Sequence, residues 1–165
     1  MPILAATVTG PDPEKHATLE VTVGEKTHVI RWQSVLHDLE YDLDRLLLSL
    51  CRDEDESEER RDAGEAVRRE LDEDDGPIFC FAPWDFVDHM AMDLEIPAEE
   101  LWSRIVDIRA LVCIPGEPML SLESIAEMYG IRYLPTGRSE DEAKVIAEIL
   151  KRHFHDDLPP TAEAA

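Results

Sequence analysis

The stretch Met119–Phe154, MLSLESIAEMYGIRYLPTGRSEDEAKVIAEILKRHF, decides the fold because several independent signals in it agree on one local structure. Ser121 is a favourable cap for a short helix, and Gly130 is a favourable residue to end it. Between them, apolar residues recur at helical spacing: Leu122, Ile125, Ala126 and Tyr129. The stretch therefore begins with a short amphipathic helix.

A second, longer helix follows a loop that contains Pro135 and Gly137. Ser139 and Glu142 have the Ser-x-x-Glu spacing of a capping box, which predicts the start of this helix. An apolar stripe runs along one of its faces; its members are Ala143, Ile146, Ala147 and Leu150, widened by Val145 and Ile149. The order predicted here is a helix, a loop and a longer helix.

Upstream of this stretch, Pro77–Phe81 (PIFCF) is a short continuous apolar run and predicts a buried strand. The residues Ala82-Pro83-Trp84-Asp85 then begin another helix, whose buried side we predict to carry Phe86, Met90 and Leu94. Asp85 is also in a favourable place to cap that helix and to complement its dipole.

The chain opens with β patterns. Pro2–Thr9 predicts a strand, and Thr18–Val23 and Thr27–Trp32 predict a hairpin around a type II′ turn at Gly24-Glu25. Ser34–Leu50 predicts an amphipathic helix. We therefore predict an α/β fold, with a mixed sheet led by antiparallel strands and with flanking helices. A chain of 165 residues suits one domain, which we place at 1–155, followed by a disordered tail at 156–165.

The chain is strongly negative, because it contains 38 acidic and only 16 basic residues, which gives a formal net charge of −22. This composition is compatible with life in high salt, where screening removes most of the self-repulsion. It is also compatible with a protein that mimics nucleic acid or docks on a basic partner. We prefer salt adaptation, and composition leaves the other interpretation open. Nucleic acid is a disfavoured partner, since its phosphates would be repelled.

The acidic residues are concentrated in the segment Arg52–Asp75, which contains thirteen Asp and Glu residues. We interpret this segment as an acidic insertion, a solvated loop followed by a polar helix over Ala63–Leu71. The alternative interpretation is a docking surface for a basic protein. If the segment is an insertion, replacing Glu54–Asp74 with a short flexible linker should leave the fold intact.

No apolar run is long enough to span a bilayer, and no charged-then-apolar leader precedes the first strand. The three cysteines, Cys51, Cys80 and Cys113, have neither close pairing nor metal-ligand spacing, which predicts reduced core thiols. We therefore expect a cytoplasmic protein without a membrane partner.

The order of these motifs resembles that of the DEDDh 3′–5′ exonucleases, the ribonuclease H-like group that includes polymerase proofreading subunits, RNase T and oligoribonuclease. In the last third of the chain the matching residues are Val106-Asp107 with Ala110, Ser121-Leu122-Glu123-Ser124-Ile125-Ala126, Gly130-Ile131, and Glu142-Ala143 followed by Ile146-Ala147-Glu148. Earlier in the chain, Trp84-Asp85 takes the place of the family's Phe-Asp. The resemblance implies an exonuclease fold of ribonuclease H type.

The resemblance also implies a site for two metal ions, Mg or Mn, held by carboxylates. The family's Asp-x-Glu on the first strand falls on Ala5 and Thr7, which are not ligands. Its last Asp falls on Glu142 and its general-base His on Gly137, so Asp85 is the one carboxylate that is unchanged. Two carboxylates are too few to fix two divalent ions, and no imidazole stands where a water would be activated.

Three other groups carry side chains of the types that bind metal ions. Asp38-Leu39-Glu40 lies in a helical pattern that points its two carboxylates apart. His89 lies one turn beyond Asp85, although a lone His on a helix is more commonly structural. His153-Phe154-His155-Asp156-Asp157 has chelating side chains but lies in a fraying tail.

We therefore expect a pseudoenzyme: a catalytically degenerate exonuclease-like domain that needs no cofactor and binds a partner, either protein or nucleic acid. A protein partner would bind at Arg52–Asp75. One alternative is a 3′–5′ exonuclease with a variant Mg or Mn site at Asp85 and Glu142. The other is an acidic inhibitor or nucleic-acid mimic that acts through the acidic segment.

Overall fold

The structure is a computed structural model that describes residues 2–9, 16–33, 54–112 and 119–155. The strands are β1 (Leu4–Thr9), β2 (His16–Val23), β3 (Lys26–Gln33), β4 (Ile78–Cys80) and β5 (Ile105–Asp107). The helices are α1 (Glu54–Asp72), α2 (Val87–Asp93), α3 (Ala98–Trp102), α4 (Leu122–Met128) and α5 (Ser139–Phe154), with 3₁₀ turns at Pro83–Asp85 and Ile108–Leu111. The predicted helix at Ser34–Leu50, the tail at 156–165, and Cys51 and Cys113 lie outside the described residues.

The first three strands form the predicted antiparallel sheet, in the order β1-β2-β3. Leu4 pairs with Val23 and Ala6 with Val21, so the two strands match along their whole length. Gly24 joins β2 to β3 with φ of 62°. A positive φ is what the first central residue of a type II′ turn requires, and glycine adopts it without steric cost.

The second pair of strands, β4 and β5, is parallel, with Ile78 opposite Ile105 and Cys80 opposite Asp107. An isolated parallel bridge joins Ile3 to Phe79, and the Phe79 N–H donates to the Pro2 carbonyl at 3.0 Å. This contact places β4 beside β1. The strand order across both sheets is therefore β3-β2-β1-β4-β5, and the mixed α/β class predicted from the sequence is confirmed.

Helices cover both faces of the strands, because successive side chains on a strand point to opposite sides. One buried cluster joins Leu4 and Val21 to α1, α2 and α3. A second cluster joins Ala5 and Phe79 to α4 and α5. The helical pair that the opening stretch predicts thus packs on one side of the sheet, and the acidic helix packs on the other. None of the described helices combines the length and apolarity needed to cross a membrane.

Helix α1 corrects the interpretation of the acidic segment. It begins at Glu54, so residues 54–62 are helical where a solvated loop was predicted. Glu, Arg and Ala have high helix propensity, and they extend the helix even though no apolar periodicity marks its first half.

The second half of α1 is part of the core. Val67 and Leu71 are fully buried, and the Glu70 carboxylate lies 2.9 Å from Nε2 of His28 on β3. The Arg104 guanidinium closes the end of the helix by donating to the Leu71 carbonyl at 2.8 Å. A linker in place of Glu54–Asp74 would remove these two core side chains, so we now expect the replacement to destabilise the fold.

The start of α5 also differs from the prediction, since Ser139 does not form a capping box with Glu142. Ser139 is fully buried at the first helical position. Its N–H and its hydroxyl both donate to Oε1 of Glu20 on β2, at 2.8 and 2.9 Å. A carboxylate from the sheet thus satisfies the helix N-terminus, where negative charge is favourable. Along the predicted stripe, Ala147 alone is exposed.

Candidate functional site

A cavity of about 370 Å³ opens where β1 and β4 approach α2 and α5. Its apolar wall comes from both strands and from α2, and consists of Ala6, Leu19, Phe81, Ala82, Phe86 and Met90. Its polar groups are Asp85, His89 and Glu142. The two carboxylates singled out in the sequence, together with the candidate ligand His89, therefore line one cavity.

Asp85 reaches the cavity through a sharp turn that follows β4. Ala82 adopts the left-handed conformation, with φ of 50° and ψ of 56°, and the 3₁₀ turn Pro83–Asp85 follows directly. An alanine in this conformation is strained, so the surrounding packing must hold it there. The predicted capping role of Asp85 is not observed: the N-cap positions are Ala82 and Phe86, and neither helix start has a side-chain cap. The Asp85 side chain is exposed at the cavity instead.

Glu142 enters the cavity from the first turn of α5. Burial raises the pKa of its carboxyl to about 7, and the nearby negative charge of Glu123 adds to the shift. Both effects disfavour the charged form of the group. Glu142 is therefore only partly ionised at neutral pH, unlike an ordinary surface glutamate. Glu123 could not be predicted as a neighbour of Glu142, because no pattern along the chain indicates that α4 lies close to the start of α5.

The strand residues at the cavity differ from those expected from the resemblance. Ala5 is fully buried in the cluster under α4 and α5, and Thr7 pairs with Glu20 of β2. Ala6 is the β1 residue that lines the cavity. Since successive strand side chains point to opposite faces, we expect an acidic side chain at position 6, and not at positions 5 or 7, to add to Asp85 and Glu142 at the cavity.

The remaining polar groups near the cavity serve the fold. Asp107 ends β5 and accepts the Arg109 N–H at 3.0 Å, and its carboxylate also pairs with the Arg109 guanidinium at 2.6 Å. Cys80 is a buried free thiol, as predicted, and burial raises its pKa to about 12, assisted by the charges of Asp107 and Glu142. A thiol of this kind is not reactive at neutral pH.

The C-terminal chelating group is only partly described. His153 uses Nδ1 in a 2.7 Å hydrogen bond with the Tyr129 hydroxyl, while Asp156 and Asp157 lie outside the described residues. Over 2–9, 16–33, 54–112 and 119–155, no three His, Cys, Asp or Glu side chains are grouped as a metal ion would need.

Comparisons with protein-family models, with curated proteins and with solved structures found no match to this chain.

Proposed function

We propose that the chain is a catalytically degenerate exonuclease-like domain of ribonuclease H type, which binds a partner and does not hydrolyse phosphodiesters. The strand order β3-β2-β1-β4-β5, with β1, β4 and β5 parallel, supports this proposal. So does the cavity beside β1 and β4, which is where a fold of this order brings residues of its first strand, its fourth strand and its last helix together. The observation that carries the proposal is the lining of the cavity, to which β1 contributes the apolar residue Ala6 and no carboxylate.

The groups at this cavity do not fit a pair of divalent ions. Hard cations such as Mg²⁺ require several oxygen ligands, and a two-metal site needs carboxylates that bridge or flank both ions. Here β1 contributes Ala6, so Asp85 and Glu142 are the two carboxylates among the described residues that line the cavity. Two carboxylates are too few to hold two divalent ions.

The competing function is a metal-dependent 3′–5′ exonuclease with a variant site. One observation favours it, namely that Asp85 and Glu142 line the same cavity although they are distant in sequence. A metal titration separates the two candidates, because they differ in whether the cavity holds Mn²⁺.

For that titration, we expect replacement of Ala6 by Asp to raise Mn²⁺ affinity at least about tenfold, since a third carboxylate would then face Asp85 and Glu142. The measurement is isothermal titration calorimetry with MnCl₂. The matched control is Ala147→Asp, which adds the same charge at an exposed alanine of α5. Equal affinities for the two variants would contradict the position we assign to Ala6. Saturable binding of Mn²⁺ to the unmodified cavity, lost in Asp85→Ala, would favour the exonuclease instead.

A protein is the partner that the charge favours. Helix α1 already uses several of its charges within the fold: Arg68 pairs with Glu100 at 2.6 Å and Arg61 with Glu95 at 3.4 Å. A nucleic-acid mimic would need a continuous negative surface, and the arginines of these pairs interrupt it. Mimicry is therefore the weaker alternative. Asp62 and Glu65 remain exposed on the same helix. A basic protein would be steered toward them, and Arg52–Asp75 stays our proposed docking segment.

A further inference from the structure

Two tryptophans form an exposed stack beside the cavity. The Trp84 and Trp102 rings lie 4.6 Å apart with an angle of 34° between their planes. The Trp102 indole N–H donates to Oδ1 of Asp88 at 2.6 Å, which holds this inner ring in place. Trp84 is 75% exposed although it rests on Trp102, so the other face of its indole is open to solvent.

Two acidic residues belong to the same part of the surface as Trp84. Asp85 follows Trp84 directly, and Asp88 holds the ring beneath it. Both are exposed, and in the described part of the chain no Lys or Arg forms an ion pair with either of them. Two arginines of α1, Arg61 and Arg68, form ion pairs with Glu95 and Glu100. The open ring face therefore belongs to a surface with two exposed carboxylates, for which the described residues supply no Lys or Arg ion pair.

A single exposed apolar residue needs no explanation, because protein surfaces are largely apolar. The stack differs in that its outer ring packs on an inner ring whose N–H is hydrogen-bonded, which limits the orientations open to the outer ring. Rigid exposed Trp side chains are characteristic anchors of protein interfaces. Met92, 49% exposed and one turn after Asp88 on the same side of α2, extends the apolar surface.

We propose that Trp84 is the anchor of a docking surface for a basic protein, and that it receives an Arg or Lys side chain of that partner on its open face. The cation would lie over the indole ring, where the ring quadrupole attracts it, with Asp85 and Asp88 beside it. The net charge of −22 would steer such a partner to the surface. This inference rests on the proposed binding function and adds to it the residue and the chemistry of recognition. A single-stranded nucleic acid would also stack on Trp84, but its phosphates would meet both carboxylates.

The probe for the experiment is the amidated peptide Gly-Arg-Gly-Arg-Gly, added to the full ¹⁵N-labelled chain at low ionic strength. We expect saturable shifts of the Trp84 and Trp102 indole N–H signals. Trp84→Ala should weaken binding by at least about tenfold, as for an interface hot spot. Its matched control is Leu134→Ala, which truncates a side chain that is 68% exposed and should leave the affinity unchanged. Asp85→Asn should weaken binding about threefold, and Glu65→Gln, which removes the same charge from α1, should have a smaller effect.

Two outcomes would overturn the inference. One is equal peptide affinity in Trp84→Ala and the parent protein. The other is a larger shift of the two indole signals with hexathymidylate than with the peptide, which would assign the stack to single-stranded nucleic acid. Equal affinity in Trp84→Ala, combined with loss of affinity when Asp62 and Glu65 are both replaced, would leave the proposed docking segment at Arg52–Asp75 standing and exclude Trp84 as its anchor. Nuclease activity would instead contradict the proposed function, whatever the peptide result.

Discussion

Replacement of Gly64 by Ala should destabilise the protein by about 2 kcal/mol or more, although the same change in an exposed helix stabilises by up to about 1 kcal/mol. Gly64 lies inside α1, where the helix meets the end of α2. A Cβ at this position would overlap the carbonyl oxygen of Leu94, which is backbone and cannot rotate away. The cost of that overlap therefore exceeds the gain in helix propensity.

Urea-induced unfolding measures this difference directly. The matched control is Glu65→Ala, an exposed change one residue further along α1, which should alter the free energy of unfolding by no more than about 0.5 kcal/mol. If Gly64→Ala were instead more stable than the parent protein, α1 would not be packed against α2. The acidic segment would then be the solvated insertion that its composition suggests.

Replacement of Glu142 by Gln should stabilise the protein by about 2–3 kcal/mol above pH 7 and by much less below pH 4.5. The pKa of this carboxyl rises from an ordinary value of 4.5 to about 7 on folding. Below pH 4.5 the group is neutral in both the folded and the unfolded chain, so its ionisation costs nothing. Between pH 4.5 and pH 7, Glu142 is ionised in the unfolded chain but largely neutral in the folded one, so the free energy of unfolding decreases as the pH rises. Above pH 7 the full cost of the buried charge is present.

The test is the difference in free energy of unfolding between Glu142→Gln and the parent protein, measured from pH 4 to pH 8. This difference in free energy should increase as the pH rises from 4.5 to 7. The increase should be smaller when Glu123→Gln is present in both proteins, since the charge of Glu123 contributes to the raised pKa of Glu142. Glu127→Gln, an exposed change on α4, serves as the control for a general charge effect. A constant difference across the range would mean that burial does not perturb this carboxyl.

The elements with clear apolar periodicity could be predicted from the sequence. The β1-β2-β3 sheet, the buried strand β4 and the helices α4 and α5 lie where alternation, apolar runs and caps indicated. Ser121 does cap α4, accepting the Ser124 N–H at 3.2 Å. The first half of α1 was missed because it is marked by propensity alone, without an apolar stripe.

The features that depend on distant contacts could not be predicted. The carboxylate that satisfies the start of α5 comes from Glu20, 119 positions away, so the local Ser-x-x-Glu pattern was misleading. The resemblance led to Asp85 and Glu142, which do line one cavity. The cavity lining includes Ala6 of β1, whereas the resemblance aligns the family's carboxylates with Ala5 and Thr7. Ala5 and Ala6 are equally apolar, so the sequence does not indicate which of them lies at the cavity. The Trp84–Trp102 stack likewise depends on how α3 packs beside the turn after β4.

The central claim, that this domain binds and does not cleave, is tested most directly by digestion of a 5′-labelled single-stranded DNA and RNA with Mg²⁺ or Mn²⁺ present. We predict no shortening from the 3′ end beyond that of a control without protein. Ladders of shortened product that require metal and disappear in Asp85→Ala, but persist in the matched surface variant Asp62→Ala, would contradict the claim. They would assign an active exonuclease to the cavity.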